Sequence, residues 1–221
     1  MDMDILTARG LCCTREETAI IKGIDIQIAK GDCVSIIGSS GSGKSTLLRL
    51  LADLTSPSDG QLLFKGKDYL DYPPELLRRE ISYAVQQPVL FGRTVADNVY
   101  FPYVVRSEKP DRKRIKELFD ALRLTEDFGD KDIYTLSGGE KQRIALMRNL
   151  LFPPEVLLLD EITSALDEEN ARLIEQLIRS FNQTGVTVVW VTHDLVQSGG
   201  IFDRRLTIDK GRLVKEEVLK G

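Results

Sequence analysis

The nine residues Gly38-Ser39-Ser40-Gly41-Ser42-Gly43-Lys44-Ser45-Thr46 constrain this chain more than any other stretch. They contain the pattern G-x-x-x-x-G-K-[ST], they follow the strand-like run Val34-Ser35-Ile36-Ile37, and they precede a helical stripe of Leu47, Leu48, Leu50 and Leu51. Glycines in such a loop let successive backbone N–H groups turn inward on a polyphosphate, and the helix start adds its partial positive charge. A lysine at the position of Lys44 reaches the β and γ phosphates, and a hydroxyl at Ser45 can ligate Mg²⁺. A merely flexible Gly/Ser loop needs neither the strand before it nor the helix after it.

The rest of the chain alternates short strand-like runs with helical periodicity, which predicts an α/β fold rather than separate β and α blocks. Its 221 residues suit one domain, or one domain carrying an insertion. With 42% hydrophobic and 29% charged residues the composition is that of an ordinary globular protein, so disordered and collagen-like classes are excluded. The 30 Lys and Arg against 34 Asp and Glu leave a net charge of −4, which argues against non-specific attraction to nucleic acid or anionic lipid. Cys12, Cys13 and Cys33 have no metal-binding or redox spacing and read as reduced thiols of a cytosolic protein. The apolar runs Val156–Leu159 and Val186–Val191 are far short of the roughly 20 residues that span a bilayer, and the start Met1-Asp2-Met3-Asp4 is no signal peptide. The expectation is a soluble intracellular chain whose membrane role, if it has one, comes through a partner.

From Ile5 to Val34 the residues Ile24, Ile26 and Ile28 alternate with polar neighbours, which predicts an antiparallel edge with one wet face. Residues 88 to 150 read as a helical insertion, with Ile115, Leu118, Phe119 and Leu122 on one stripe. Val156-Leu157-Leu158-Leu159 lacks polar alternation and so predicts a strand buried on both faces, as in a parallel sheet. A helix carrying Ala171, Ile174, Leu177, Ile178 and Phe181 stops near Gly185. Another buried strand, Val186–Val191, ends at Thr192-His193-Asp194, and Arg205 to Glu217 reads as a hairpin turning at Asp209-Lys210-Gly211.

Several of these element ends carry candidate chemistry. Asp160 and Glu161 close a buried strand, where one carboxylate can hold Mg²⁺ through water and the next can orient or deprotonate an attacking water. Leu136-Ser137-Gly138-Gly139-Glu140-Lys141-Gln142-Arg143 opens a helix in which Ser137 and Glu140 have capping-box spacing. Two glycines in that first turn are not needed for capping, and they make sense if a phosphate approaches the backbone. Two glycine-rich phosphate contacts nearly a hundred residues apart either fold around one nucleotide or are shared between two copies. His193, the single histidine, reads alone as a structural residue, but it follows a core strand end, where such folds bind ligands. Gln86, after the strand Ile81 to Val85, is either a loop residue or a polar ligand to Mg²⁺ or water.

With these elements in order, the chain resembles the ATP-binding cassette (ABC) ATPases over nearly its whole length, most specifically in Leu136 to Gln142. The resemblance implies a P-loop NTPase (RecA-like) core with a mainly parallel sheet, an antiparallel β-edge subdomain and a helical insertion. The core would span about 1–87 and 151–221, and the helical subdomain about 88–150, within one ABC ATPase domain. It implies ATP and Mg²⁺ as cofactors, with Gly38 to Thr46 as the Walker A loop. Ser45, Gln86 and Asp160 would serve the metal, Glu161 would be the catalytic base and His193 the switch histidine. Ser164-Ala165-Leu166-Asp167 is similar to the D-loop. In that family two cassettes dimerise head to tail, so Ser137, Gly138, Gly139 and Glu140 of one copy would meet ATP held by Lys44 of the other. Activity would be ATP hydrolysis energising an integral-membrane permease from the cytoplasmic face of the membrane, with no nucleic-acid partner.

One departure concerns the base. The family's adenine-stacking aromatic falls near Cys13 by register, so either stacking is lost or Arg15 lies on the base, and discrimination between ATP and GTP is expected to be weak. A finer resemblance rests on Glu161-Ile162-Thr163-Ser164, with Ile where most transporter cassettes have Pro, together with Leu90-Phe91-Gly92-Arg93-Thr94-Val95, Asn98 and Phe101-Pro102. These are similar to the small ATPase subunits of bacterial exporters linked to iron efflux. The alternatives are an importer of phosphate, amino acid or another small solute, and a soluble ABC ATPase acting on DNA or ribosomes. The last lacks support because the chain shows neither sustained heptads nor a basic footprint.

Overall fold

A computed structural model describes residues 4–193 and 201–219, apart from the side chain of Glu126. Asp194, expected to follow the last core strand, lies outside the described residues. The chain divides into two compact units: residues 1–83, 155–161 and 182–221 form the first, and residues 84–154 and 162–181 the second.

The first unit holds two sheets. Strands β1 (Asp4–Arg15), β2 (Thr18–Ala29), β4 (Asp59–Phe64) and β5 (Lys67–Asp68) form an antiparallel sheet in the order β2-β1-β4-β5. In β2, Ile24, Ile26 and Ile28 are buried while Asp25 and Gln27 are exposed, so the alternation read from the sequence is the alternation of the sheet's dry and wet faces. A six-stranded sheet has the order β10-β9-β3-β8-β7-β6, using β3 (Cys33–Ile37), β6 (Ile81–Ala84), β7 (Val156–Asp160), β8 (Thr187–Val191), β9 (Arg204–Asp209) and β10 (Arg212–Val218). β9, β3, β8 and β7 run parallel, and β10 returns antiparallel on β9 through the predicted hairpin. Every residue of β7 and β8 is buried, as continuous apolar runs in a parallel sheet require.

Helix α1 (Lys44–Leu51) lays Leu47, Leu48, Leu50 and Leu51 into the same core as Val34, Ile36, Val156, Leu158 and Val189. Each such side chain contributes about 1.5–3 kcal/mol on burial. That packing fixes the loop between β3 and α1 at both ends. A short helix, α2 (Pro74–Glu80), precedes β6.

The second unit is helical: α3 (Val95–Arg106), α4 (Arg112–Ala121) and α5 (Gly138–Leu150), followed by α6 (Glu168–Gln183), which belongs to it as far as Phe181. Ile115, Leu118, Phe119 and Leu122 are all buried, as the stripe predicts. The α/β architecture expected from the sequence is therefore the one adopted.

A candidate nucleotide-binding site

In the first unit the carboxyl ends of three parallel strands carry the candidate residues. β3 runs into the loop 38–43, β7 ends at Asp160 with Glu161 next, and β8 ends two residues before His193. Asp160 is the register partner of Val191, so Glu161 and the chain leading to His193 leave the sheet side by side.

Glycine is required at two points of the loop. At Gly38, where φ is +151°, a Cβ would stand 2.1 Å from the carbonyl oxygen of Ile208 in β9. Gly43, with φ +106°, sits against Ile20 and Ile21 of β2, and a Cβ there would be 2.9 Å from Ile21 Cδ1. No side chain caps α1 at Gly43 and no acidic residue stands in its first turn, so its N-terminal N–H groups and positive dipole end remain available to an anion. Among the described residues the Ser42 hydroxyl, buried there, has no hydrogen-bond partner. Lys44 is 5% exposed, and its Nζ donates to the carbonyls of Gly38 at 3.0 Å and Ser39 at 2.9 Å. Burial lowers its pKa from the usual lysine value, and the carboxylates of Glu161 and Asp160 pull it back up.

Asp160 is 4% exposed and gripped on both oxygens. Ser45 Oγ donates to Oδ1 at 2.9 Å and Tyr83 Oη donates to Oδ2 at 2.7 Å. Burial, reinforced by the Asp160 carboxylate, pushes the Tyr83 phenol up to about 12, while Arg49 works against the rise. Glu161 has a left-handed backbone, φ +51°, unusual for a residue with a side chain and held by its N–H donating to Val191 O at 3.0 Å. Strain of this kind gathers at functional sites. His193 Nε2 lies 2.6 Å from Glu161 Oε1.

Among the described residues no group of three or more His, Cys, Asp or Glu side chains could cage a metal ion. A hydroxyl beside one buried carboxylate does suit Mg²⁺, which takes few protein oxygens and completes its shell with water and phosphate.

The other candidates lie in the second unit. Gln86 Nε2 donates to Ser164 Oγ at 3.4 Å. Ser137 and Glu140 form the capping box their spacing predicts: Glu140 N donates to Ser137 Oγ at 3.2 Å and Ser137 N to Glu140 Oε2 at 2.8 Å. Gly138 is exposed at the first position of α5, with Gly139 half-buried behind it. Asp167 accepts from Asn170 N at 2.9 Å and Asn170 Nδ2 at 2.6 Å, and Arg143 donates to Asn170 Oδ1. These hydrogen bonds hold the Asp167 pKa below the usual carboxylate range.

Two contributions were missed from sequence. Tyr83 becomes visible only when β6 and β7 are known to be neighbours, and Asn170 only when α6 is known to start beside Arg143. Cys13 faces the core, 6% exposed, and offers no surface to a base, whereas Arg15 is exposed at the end of β1.

A phosphate loop between a parallel strand and a helix, with a strand-end carboxylate pair, defines a nucleotide-hydrolysing P-loop protein. The sequence matches the ABC transporter family over residues 21–164, and the chain belongs to that family as an ATP-binding, ATP-hydrolysing transporter subunit. It is 45% identical over 179 residues to the probable iron export ATP-binding protein FetA of Escherichia coli (strain K12), covering 80% of each chain. It is 36% identical over 217 residues to the spermidine/putrescine import ATP-binding protein PotA of Spiroplasma citri, covering 96% of this chain but only 61% of that relative. Among solved structures it is similar to the cassette MJ0796 in a dimeric post-hydrolysis state bound to ADP and Pi, with a TM-score of 0.87, 30% identity and coverage of 98% and 99%.

Proposed function

We propose that this chain is the ATPase subunit of a metal exporter, most specifically for iron, bound to the cytoplasmic face of a separate membrane permease. The carrying observation is the 45% identity to an iron export ATP-binding protein over 80% of both chains. Among the described residues no helix is long and apolar enough to cross a membrane. The second unit exposes Val89, Phe91, Phe101 and Val104, the kind of apolar surface that a permanent partner covers. In this reading the region after Gln86 passes motion to the permease.

Each site residue then has a task. Lys44, the loop N–H groups and Ser42 bind the β and γ phosphates, while Ser45 and Asp160 hold Mg²⁺. The metal, when bound, neutralises charge developing on the transferred phosphoryl group. Glu161 accepts a proton from the attacking water as the new bond to Pγ forms and the bond from Pγ to the ADP oxygen breaks. His193 orients that water and the γ-phosphate. Ser137, Gly138 and Gly139, with Glu140 fixing their helix start, present N–H groups to the γ-phosphate held by a second copy, so two chains enclose two ATP molecules head to tail. Asp167 belongs to the segment facing that second copy. The identity to MJ0796, seen as a dimer with ADP and Pi, supports this assembly.

The test is genetic and biochemical together. Deleting the chain and its membrane partner should raise cellular iron, and the chain should co-purify with that partner from membranes. Unchanged iron overturns the cargo. An importer of the kind PotA represents predicts instead loss of uptake of a small solute with iron unaffected.

A further inference from the structure

The geometry points to Tyr83 as a positioning residue for the metal-bearing carboxylate, an inference that rests on the proposed role of Ser45 and Asp160 toward Mg²⁺. Asp160 is almost wholly buried at the end of β7, so its oxygens must find protein partners or the ion. Oδ1 takes the hydroxyl of Ser45 at 2.9 Å and Oδ2 the phenol of Tyr83 at 2.7 Å, from β6 on the other side of the strand. The carboxylate is thus clamped at both ends and its plane is fixed before any nucleotide arrives. Ser45 sits in α1 and is bound to the phosphate loop, so its hydrogen bond alone would let the carboxylate swing about Cβ–Cγ. The phenol removes that freedom. A second partner on an ion-binding carboxylate sets its orientation and is typically worth tenfold or more in metal affinity.

Tyr83 meets the site through the Asp160 carboxylate and is assigned no part in proton transfer, since a phenol is a hydrogen-bond donor at neutral pH. Its effect should therefore fall on metal binding and leave the chemical step intact.

The experiment is Tyr83→Phe in the full chain, which keeps the ring in β6 and deletes the hydroxyl, with its hydrogen bond to Asp160 and its contact with Arg49. The Mg²⁺ concentration for half-maximal ATPase activity should rise on the order of tenfold, with turnover at saturating Mg²⁺ close to wild type. Binding of Mn²⁺ in the presence of a non-hydrolysable ATP analogue, followed by electron paramagnetic resonance, should weaken in parallel. Nucleotide binding in EDTA should be unchanged. A variant with the wild-type Mg²⁺ midpoint and Mn²⁺ affinity overturns the inference, as does one whose turnover at saturating Mg²⁺ falls while the midpoint stays put. Should Ser45→Ala and Asp160→Asn leave Mn²⁺ binding intact in the wild-type background, the underlying metal assignment fails instead, and the two failures are distinct.

Discussion

Gly138 separates folding from function in one substitution. It occupies the first position of α5, its φ is not positive, and a Cβ added there meets nothing within 4 Å. The fold thus gives no reason for glycine. Replacing it with alanine should remove unfolded-state freedom at no native cost, stabilising by about 0.4–1 kcal/mol. In a chain of this size that raises Tm by roughly 1–4 °C. The proposed assembly predicts the opposite for activity, because the backbone N–H at Gly138 would meet the γ-phosphate of a second copy and a methyl group beside it would hold that phosphate off. Loss of one such donor in a transition-state site costs roughly 100-fold in kcat. The pair of measurements is thermal unfolding without nucleotide and steady-state phosphate release at saturating ATP. A Gly138→Ala protein that melts several degrees lower would mean that glycine serves the helix start. One that is as stable as wild type and fully active would mean that no phosphate approaches this turn.

Gly38→Ala should behave in the reverse way. Its Cβ would collide at 2.1 Å with a backbone carbonyl that belongs to β9 and cannot give, so overpacking of about 1–3 kcal/mol should lower Tm by several degrees even without nucleotide; an unchanged Tm refutes the collision. Glu161→Gln should keep ATP binding but lower turnover by about 10²–10⁴-fold, the range for removing a general base, and should accumulate as an ATP-bound dimer on size exclusion. Normal turnover would take the base away from Glu161. Because Cys13 is buried, ATP and GTP at equal subsaturating concentration should be hydrolysed at similar rates, and a large preference for ATP would show that some other group reads the base.

What was legible in the sequence is what periodicity and local turn chemistry determine. The isoleucines of β2, the leucines of α1 and the unbroken run in β7 announce their faces because each period has a single way to bury its apolar side. The phosphate loop is legible for the same local reason: Gly38 and Gly43 are fixed by backbone they nearly touch, and Lys44 by the carbonyls six and five residues before it. Ser137 and Glu140 likewise close their capping box within one turn.

Contacts set by strand order were not legible. Tyr83 and Asp160 are 77 residues apart and meet only because β6 follows β7 in a sheet whose order is not the chain order. The partnership of His193 with Glu161 depends on the register that sets Asp160 opposite Val191, and one residue of slip between the two strands would turn one of the side chains away from the other. Since strands of a parallel sheet deliver their carboxyl ends to one edge, the motif residues had to converge wherever β3, β7 and β8 were neighbours. The fine positioning did not follow from that rule. A buried carboxylate with two oxygens needs two partners, and in this fold the second comes from β6, the strand flanking β7 on the side away from β8. That makes the residue facing Asp160 from β6 a position where a hydroxyl or a phenol does chemical service that no motif spells out, and Tyr83→Phe is the change that would expose it.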